Sequence, residues 1–168
     1  MDGSRRHSPL TAQPAALIAV QAIEASGIDN AQHLEFELQL TPEAENAMLQ
    51  TNLKAAARAL ALLLDNAQKF THAPEANQQG KIYEKKERAM LKVALEGKEV
   101  RFIVEDTGIG VPPWEAEHIF GEFVQLNEYY DGTGIGLTVA RSIAHRLGGD
   151  IRLDTSYTGG ARFVMTLG

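Results

Sequence analysis

One long amphipathic segment limits the folds that are open to this chain of 168 residues. Its apolar side chains recur at i, i+3, i+4 and i+7 spacing, which predicts a single helix that ends near Thr71. The residues of this apolar face are Leu53, Ala56, Ala57, Leu60, Leu63, Leu64 and Ala67. Such a face has to be buried against another layer, and 44% hydrophobic residues suffice for one core. We therefore expect one domain.

Strand-like patterns supply the second layer. The stretch "HLEFELQL" alternates apolar and polar residues with the period of a half-buried strand, and the helical stretch "AALIAVQAIEASG" before it ends at Gly27. One hairpin is predicted from "AMLKVAL" and "EVRFIVED" around Glu96-Gly97-Lys98. A second is predicted from "DIRLDTSY" and "GARFVMTL" around Gly159-Gly160.

Two further helices and one polar loop complete the predicted order. A short helix is expected around Trp114 to Phe120, and "GIGLTVARSIAHRLGG" predicts a helix that ends at Gly148. The polar stretch from His72 predicts a loop with a short edge strand around Lys81 to Glu84. The order helix, strand, helix, hairpin, helix, hairpin predicts an α+β two-layer sandwich, with helices on one face of a mostly antiparallel sheet.

The N-terminal stretch is expected to lie outside the domain. We interpret residues 1–11 as a disordered leader or an expression remnant, and residues 12–168 as the domain. The paired arginines of the leader resemble an export signal, but Gln13 and Pro14 interrupt the apolar region too early. No apolar run approaches the roughly 20 residues that span a bilayer, since Arg58 interrupts the richest one. We expect no membrane contact by this chain.

Composition argues against several classes of site. The sequence contains no cysteine, which excludes disulfides and thiolate metal sites and fits a reducing compartment. Its net charge of −6 argues against a nucleic-acid partner, because proteins that bind phosphate backbones usually carry a basic face. An acidic domain that binds an anionic nucleotide has to concentrate its few cations locally.

Asn66 is the first candidate for chemistry, because asparagine in a helix interior costs several tenths of a kcal/mol relative to alanine. Lys69 and Phe70 follow at i+3 and i+4 and share its side of the helix. An amide oxygen is a ligand for Mg²⁺, which keeps most of its sites for phosphates and water, and the Lys69 ammonium would face those phosphates. Taken alone, this patch is more typical of a solvated asparagine near a helix end.

Asp106 is the second candidate. It has the same parity as Val100, Phe102 and Val104, so the strand pattern points its carboxylate toward the core. A buried carboxylate needs hydrogen-bond donors, and the exocyclic amino group of adenine is one such donor. In the stretch "DTGIGVP", Gly108 and Gly110 would let the backbone approach the base. The alternative is an Asx turn, in which Asp106 binds its own backbone amides.

The stretch "DGTGIGL", from Asp131 to Leu137, is the third candidate. Its glycines at 132, 134 and 136 leave backbone N–H groups at the start of a helix, where an anion is favoured. The spacing matches neither a dinucleotide-binding fold nor a P-loop. A flexible loop between two helices is the competing interpretation.

Taken in order, the motifs resemble a known family. The series "LLLDNAQKFT", "DTGIGVP", "FGEF" and "GTGIGL" is similar to the N, G1, F and G2 boxes of the catalytic, ATP-binding domain of sensor histidine kinases. The likeness extends over about Leu34 to Leu167. It implies a Bergerat-type sandwich, with a five-stranded mixed sheet, three helices behind it, and ATP held between a helix and a lid.

The resemblance also implies a role for each matching residue. Asn66 matches the magnesium-binding asparagine, Lys69 the phosphate-contacting lysine, and these two are the expected catalytic residues. Asp106 matches the aspartate that recognises adenine. The remaining expected contacts to ATP are Phe70 beside the base, Gly108 and Gly110 in the turn, Phe120 and Phe123 of the F box, and Gly132, Thr133, Gly134, Gly136 and Leu137 of the lid motif.

The sequence departs from the family pattern at two places. The family often has a second asparagine one turn before the magnesium-binding one, where this chain has Leu62. The lid stretch from Val124 to Asp131 contains no Lys or Arg, and Gln125 stands where many relatives have arginine. Because phosphoryl transfer develops negative charge, Lys69, Mg²⁺ or another residue has to replace that cation.

None of the five histidines has the setting of a phosphoacceptor. The resemblance therefore implies a catalytic domain that receives its acceptor from the dimerisation and histidine phosphotransfer domain of the same kinase, with a response-regulator receiver domain downstream. We expect no autophosphorylation by the chain alone. We expect this domain to be a cytoplasmic monomer. Many relatives are anchored to a membrane, so the resemblance suggests a membrane anchor for the parent protein as well.

Two alternatives remain at this point. The first is an ATPase that works as a conformational switch, like the chaperone and topoisomerase relatives. It requires a glutamate base one turn before Asn66, where Leu62 lies. The second is a degenerate interaction module that binds no nucleotide.

Overall fold

The computed structural model describes residues 10–32, 34–71, 87–108, 110–121 and 134–168. Its strands are β1 Thr11–Pro14, β2 Leu34–Leu40, β3 Met48–Thr51, β4 Glu87–Glu96, β5 Glu99–Asp106, β6 Asp150–Leu153 and β7 Arg162–Leu167. Its α-helices are α1 Ala15–Ser26, α2 Pro42–Glu45, α3 Leu53–Phe70 and α4 Gly134–Arg146. Single 3₁₀ turns lie at Ile28–Asn30, Pro113–Glu115 and His118–Phe120.

The main sheet has five strands in the order β2-β4-β5-β7-β6. Strand β2 is parallel to β4, and every other neighbouring pair in this sheet is antiparallel. Helix α3 lies between α1 and α4 and contacts β5, while α1 contacts β4 and α4 contacts β6. The predicted α+β two-layer sandwich, with its mostly antiparallel sheet, is confirmed.

Strand β5 has an alternating burial pattern that extends to Asp106. Its buried and half-buried residues alternate, and Val100, Phe102 and Val104 are each at most 1% exposed. The alternation continues through Asp106, the last residue of the strand, which is 3% exposed. Because successive side chains of a strand point to opposite faces, the carboxylate lies on the same side as Phe102. This agrees with the parity argument.

The long helix α3 begins and ends where its sequence predicts. The Asn52 side chain caps it by accepting the N–H of Ala55 at 2.9 Å. At the other end, the Thr71 hydroxyl donates to the carbonyl oxygen of Ala67 at 2.9 Å. Helix α1 ends at Gly27, which has a φ of 69° and donates its N–H to the Ile23 carbonyl.

The structure corrects two details of the predicted order. A small antiparallel sheet of β1 and β3 was not predicted, because strands of four residues are too short for a period of two to stand out. Thr11, the last residue of the predicted leader, pairs with Thr51 in that sheet. The single helix expected around Trp114 to Phe120 is wrong, since two separate 3₁₀ turns lie there instead.

The second hairpin is shorter than predicted on its first strand. Strand β6 ends at Leu153, because Asp154 begins a turn by accepting the backbone N–H and the hydroxyl of Ser156. The edge strand predicted around Lys81 to Glu84 lies outside the described residues. Within the ranges that the structure describes, no helix is both long and apolar enough to cross a bilayer.

Candidate functional site

The Asp106 carboxylate is held by backbone donors on two sides. Its Oδ1 accepts the N–H of Gly108 at 2.8 Å and the N–H of Ala161 at 3.4 Å. The first of these bonds forms the Asx turn that was one interpretation of the sequence. A carboxylate has two oxygens with about four acceptor positions, so this turn leaves capacity for a further donor. The two interpretations of Asp106 are therefore compatible.

Burial raises the pKa of Asp106 to about 7. The N–H groups of Gly108 and Ala161 lower it, while the nearby carboxylates of Glu87 and Glu105 raise it further. The group is therefore close to half protonated at neutral pH. A neutral donor that approached the carboxylate, such as an aromatic amino group, would favour the ionised form.

The backbone next to Asp106 is packed so closely that two neighbouring positions have room only for glycine. A Cβ on Gly160 would collide with the carbonyl oxygen of Asp106. The N–H of Asp106 donates to the Ala161 carbonyl at 2.9 Å, which fixes the two strands side by side. Gly110 has a φ of 75°, and a Cβ there would lie 2.9 Å from the Gly160 carbonyl oxygen. The predicted turn around Gly108 and Gly110 is thus built against the β6–β7 turn.

Tyr157 lies on the other side of this turn and was missed by sequence reasoning. Its hydroxyl donates to the carbonyl oxygen of Asp106 at 3.3 Å. The Arg162 guanidinium lies 4.2 Å from the centroid of the Tyr157 ring. Arg162 in turn forms ion pairs with Glu105 at 3.4 Å and Asp154 at 3.2 Å. A tyrosine in a turn has no periodic pattern, so no sequence signal pointed to it.

Thr107 ties the same turn to the neighbouring strand. Its N–H donates to the Arg88 carbonyl at 3.0 Å, and its hydroxyl accepts the Arg88 N–H at 2.8 Å. The hydroxyl also donates to the Glu87 carboxylate at 2.7 Å. The Asp106 turn is therefore anchored to β4 as well as to β7.

Two shallow cavities flank the Asp106 turn. One of about 460 Å³ is lined by Asp106, Thr107, Tyr157 and residues of β2 and β4. The other, of about 420 Å³, is lined by Gly108, Gly110, Tyr157 and the residues that follow Tyr157. Both volumes lie in the range of small-molecule sites.

Asn66 is buried on α3 with an unsatisfied amide. It is 3% exposed, and among the described residues its Nδ2 has no hydrogen-bond partner. A buried amide without a partner costs about 1 to 3 kcal/mol. Rotation of the amide exchanges oxygen and nitrogen at that position, so the unsatisfied end suits either a cation or an acceptor. This fits the predicted role of Asn66 toward Mg²⁺ and phosphate.

The described part of the chain contains no cluster of side chains that could hold a metal ion without help from a ligand. No group of three or more His, Cys, Asp or Glu residues there has the arrangement of a metal site. Magnesium held mainly by phosphates and water needs only one or two protein oxygens. Lys69, the predicted phosphate ligand, is exposed at the end of α3. The side chain of Phe70 lies outside what the structure describes.

Phe120 is packed into the core by three contacts. It is 7% exposed, meets the Phe163 ring edge-on at 6.1 Å and lies under the Arg141 guanidinium at 4.5 Å. The Thr138 hydroxyl donates to the carbonyl oxygens of Phe120 and Gly121 at 3.0 and 3.1 Å. These contacts attach the predicted F box to α4, while a contact of Phe120 with a nucleotide stays a prediction.

The predicted lid lies mostly beyond the described residues. Phe123, Gly132 and Thr133 are not described. Helix α4 begins at Gly134, as the glycine pattern predicts, and Leu137 is 2% exposed within the core. The structure thus brings Asp106, Gly108 and Gly110 together on one turn. The convergence of this turn, Asn66 and the glycines on one nucleotide stays a prediction.

The fold and the buried carboxylate define a class of ATPase domain. The family model described as "Histidine kinase-, DNA gyrase B-, and HSP90-like ATPase" matches residues 51–168. The chain therefore belongs to this ATPase family. The matched region contains α3, the Asp106 turn and α4.

Sensor kinases are among the relatives. The chain is 39% identical over 110 residues to the sensor protein RstB of Escherichia coli strain K12, an alignment that covers 63% of this chain and 22% of RstB. The chain thus spans about a fifth of that relative's length.

Solved structures of histidine kinases share the fold. The mycobacterial sensor histidine kinase MprB superposes with a TM-score of 0.74 at 20% identity, over 94% of this chain and 96% of that one. Full-length ShkA in complex with AMPPNP superposes with a TM-score of 0.68 at 25% identity, over 95% of this chain and 31% of that one. The resemblance to histidine kinase catalytic domains is therefore confirmed.

Proposed function

We propose that this chain binds ATP with Mg²⁺ and transfers the γ-phosphoryl group to a histidine on a separate dimerisation domain, as the kinase domain of a two-component sensor. The buried Asp106 carboxylate carries the proposal. It has spare acceptor capacity and a pKa raised to about 7, so a donor group that reached it would favour its ionised form. Membership of the ATPase family supports the nucleotide, and the AMPPNP in the ShkA complex is consistent with it.

Adenine is recognised by the Asp106 turn in this proposal. The exocyclic amino group donates to the carboxylate, which shifts the group to its ionised form. Gly108 and Gly110 leave room for the plane of the base. A buried hydrogen bond to a charged group contributes about 1.5 to 3 kcal/mol, enough to select adenine over a purine without the amino group.

Phosphates and magnesium are held from α3 and from the start of α4. Asn66 supplies an amide oxygen to Mg²⁺, and Lys69 places a positive charge near the phosphates. The backbone N–H groups of Gly132, Gly134 and Gly136 would bind the phosphate oxygens in this proposal, because the helix dipole at the start of α4 favours negative charge. Lys69 would offset part of the charge that develops during transfer, and a bound Mg²⁺ would supply further positive charge there.

The acceptor histidine comes from another domain. Within the described residues, His118 pairs with Glu115 at 2.9 Å and His145 with Asp150 at 2.7 Å, both on the surface. RstB is several times longer than this chain, which is consistent with further domains in a complete kinase. We propose that the dimerisation and phosphotransfer domain docks here, that a receiver domain accepts the phosphoryl group downstream, and that the reaction uses cytoplasmic ATP.

Hydrolysis of ATP to water is the less favoured activity. It needs a general base one turn before Asn66, but Leu62 occupies that position and lines a groove between α1 and α3. A leucine offers no base to activate water. A kinase that delivers the phosphoryl group to histidine needs no such base at this position.

Calorimetric titration with ATP, with and without Mg²⁺, tests the proposal. The chain should bind ATP and bind it more tightly with Mg²⁺. Absence of binding in both titrations would support the degenerate interaction module instead. For the transfer step, ATP is mixed with the chain and a dimerising hairpin that carries the acceptor. Acid-labile phosphohistidine on the hairpin is expected, whereas phosphate release without it would favour the ATPase.

A further inference from the structure

We propose that Tyr157 is a positioning residue for adenine recognition, which fixes the peptide after Asp106 and so aims the carboxylate at the 6-amino group. The proposal rests on the proposed function and names a determinant of its selectivity. Tyr157 lies in the turn between β6 and β7.

The peptide between Asp106 and Thr107 is held at both ends. Its carbonyl oxygen accepts the Tyr157 hydroxyl at 3.3 Å. Its N–H, which belongs to Thr107, donates to the Arg88 carbonyl at 3.0 Å. One peptide plane is therefore clamped between the β6–β7 turn and β4. Since this plane precedes Gly108, it also determines where the Gly108 N–H meets the carboxylate.

The two hydrogen bonds to the Asp106–Thr107 peptide help to orient the carboxylate, because the carboxylate itself is held through only one of its oxygens. Both backbone hydrogen bonds described for the Asp106 carboxylate end on Oδ1, from Gly108 and Ala161. Rotation of the Asp106–Thr107 peptide would move the Gly108 N–H and turn the carboxylate with it. A hydrogen bond to a ligand weakens steeply as its angle departs from linearity, so a small rotation lowers the affinity for an amino group.

Tyr157 is itself fixed and stays a donor. The Arg162 guanidinium covers its ring at 4.2 Å, and Glu105 and Asp154 hold that guanidinium. Burial, followed by the carboxylates of Glu105 and Asp106, raises the pKa of Tyr157 above its usual value. The hydroxyl therefore remains protonated at neutral pH. Gly160 completes the arrangement, because only a residue without a Cβ fits against the Asp106 carbonyl.

The test compares two nucleotides in calorimetric titrations of the whole chain. ATP carries the 6-amino group, and purine riboside triphosphate has hydrogen in its place. Tyr157→Phe removes the hydroxyl alone. It should weaken ATP binding about threefold to tenfold, the effect of one hydrogen bond, and leave the analogue within about twofold of wild type. The ratio of the two affinities is the readout that a merely structural role would not move.

Ser156→Ala is the matched control. It removes a hydroxyl from the same turn, one that bonds Asp154 rather than Asp106. It should leave the affinity ratio unchanged. Arg162→Met serves as a second variant, because it keeps the tyrosine hydroxyl but frees the ring, and should lower the ratio by less than Tyr157→Phe. Adding Tyr157→Phe to Asp106→Asn should produce no further loss of ATP affinity.

Each outcome has a distinct meaning. If wild type prefers ATP and Tyr157→Phe leaves that preference intact, the positioning role is overturned while the proposed function stands. If Tyr157→Phe weakens both nucleotides equally, the residue is structural and the proposal is again overturned. Wild type that binds neither nucleotide overturns both the positioning role and the proposed function.

Discussion

Asp106 and Asn66 are both buried polar side chains, each 3% exposed, yet their surroundings differ. The Asp106 carboxylate accepts the backbone N–H groups of Gly108 and Ala161, and the Asp106 carbonyl accepts the Tyr157 hydroxyl. Asn66 has an amide nitrogen without a partner among the described residues. The first side chain is preorganised by the chain, while we propose that the second is completed by a ligand. Changes to the packed backbone around the Asp106 turn should therefore affect both folding and binding, and changes at Asn66 mainly binding.

The preorganised turn should be broken most strongly by Gly160→Ala. The new Cβ collides with the Asp106 carbonyl, and we expect the free energy of unfolding to fall by about 3 kcal/mol together with a loss of ATP affinity. Urea denaturation and calorimetry measure the two effects. Gly97→Ala is the matched control, because Gly97 also has a positive φ, of 60°, but has open space around it. It should cost only about 1 kcal/mol and leave ATP binding unchanged.

Asp106→Asn should separate binding from stability. We expect ATP affinity to fall by about 2 to 3 kcal/mol, because the amide is a weaker acceptor for the amino group than a carboxylate. The variant should not be less stable above pH 7, since it removes a buried charge and keeps an oxygen for Gly108. Titration and urea denaturation at pH 8 check the two signs. A large loss of stability with unchanged ATP affinity would contradict the assignment.

The pH dependence follows from the raised pKa of Asp106, about 7 in the folded chain against an ordinary pKa of 3.8 for an aspartate. The folded state binds more protons between these values, so stability from this group is present at low pH and declines as pH rises toward 7. Binding has the opposite trend, because the amino group needs the ionised carboxylate. ATP affinity should fall by up to about tenfold per pH unit below 7, with proton release on binding. Asp106→Asn should flatten this profile.

Asn66→Ala should have the smallest effect on the fold. It removes an unsatisfied amide from a helix interior and raises helix propensity, so the free energy of unfolding should change by no more than about 1 kcal/mol. The dependence of ATP binding on Mg²⁺ should disappear. Titrations in Mg²⁺ and in a chelator measure this. A Mg²⁺ effect that survives the substitution would assign the metal to another ligand.

Periodicity predicted the parts of the fold that bury long apolar faces. Helix α3 and strands β4 and β5 repeat their pattern over several turns or residues, so their sequence determines them locally. The parity of β5 even placed the Asp106 carboxylate on the buried side. Strands β1 and β3 were missed because each has four residues and gains its stability by pairing across the chain.

Features of the candidate site that lie in one short stretch of sequence could be predicted. Contacts that join distant segments could not. Asp106 and its glycines lie in one short motif. Tyr157 reaches Asp106 across 51 positions of sequence, and Gly160 is needed only because the two backbones meet. The turn between β6 and β7 has the sequence of an ordinary hairpin connection. It supports the Asp106 turn only because the two pack against each other in the folded chain.

The attachment of Gly121 to Thr138 has a consequence for how this family can vary. The hydroxyl of Thr138, one turn after α4 begins at Gly134, holds the Gly121 carbonyl, so the described residues on either side of 122–133 are tethered to each other. Residues added between two tethered ends do not shift the register of any strand. In general, doubling the length of a flexible segment between two tethered ends costs only about 0.6 kcal/mol of closure entropy. Insertions and deletions can therefore accumulate there while the sheet remains unchanged.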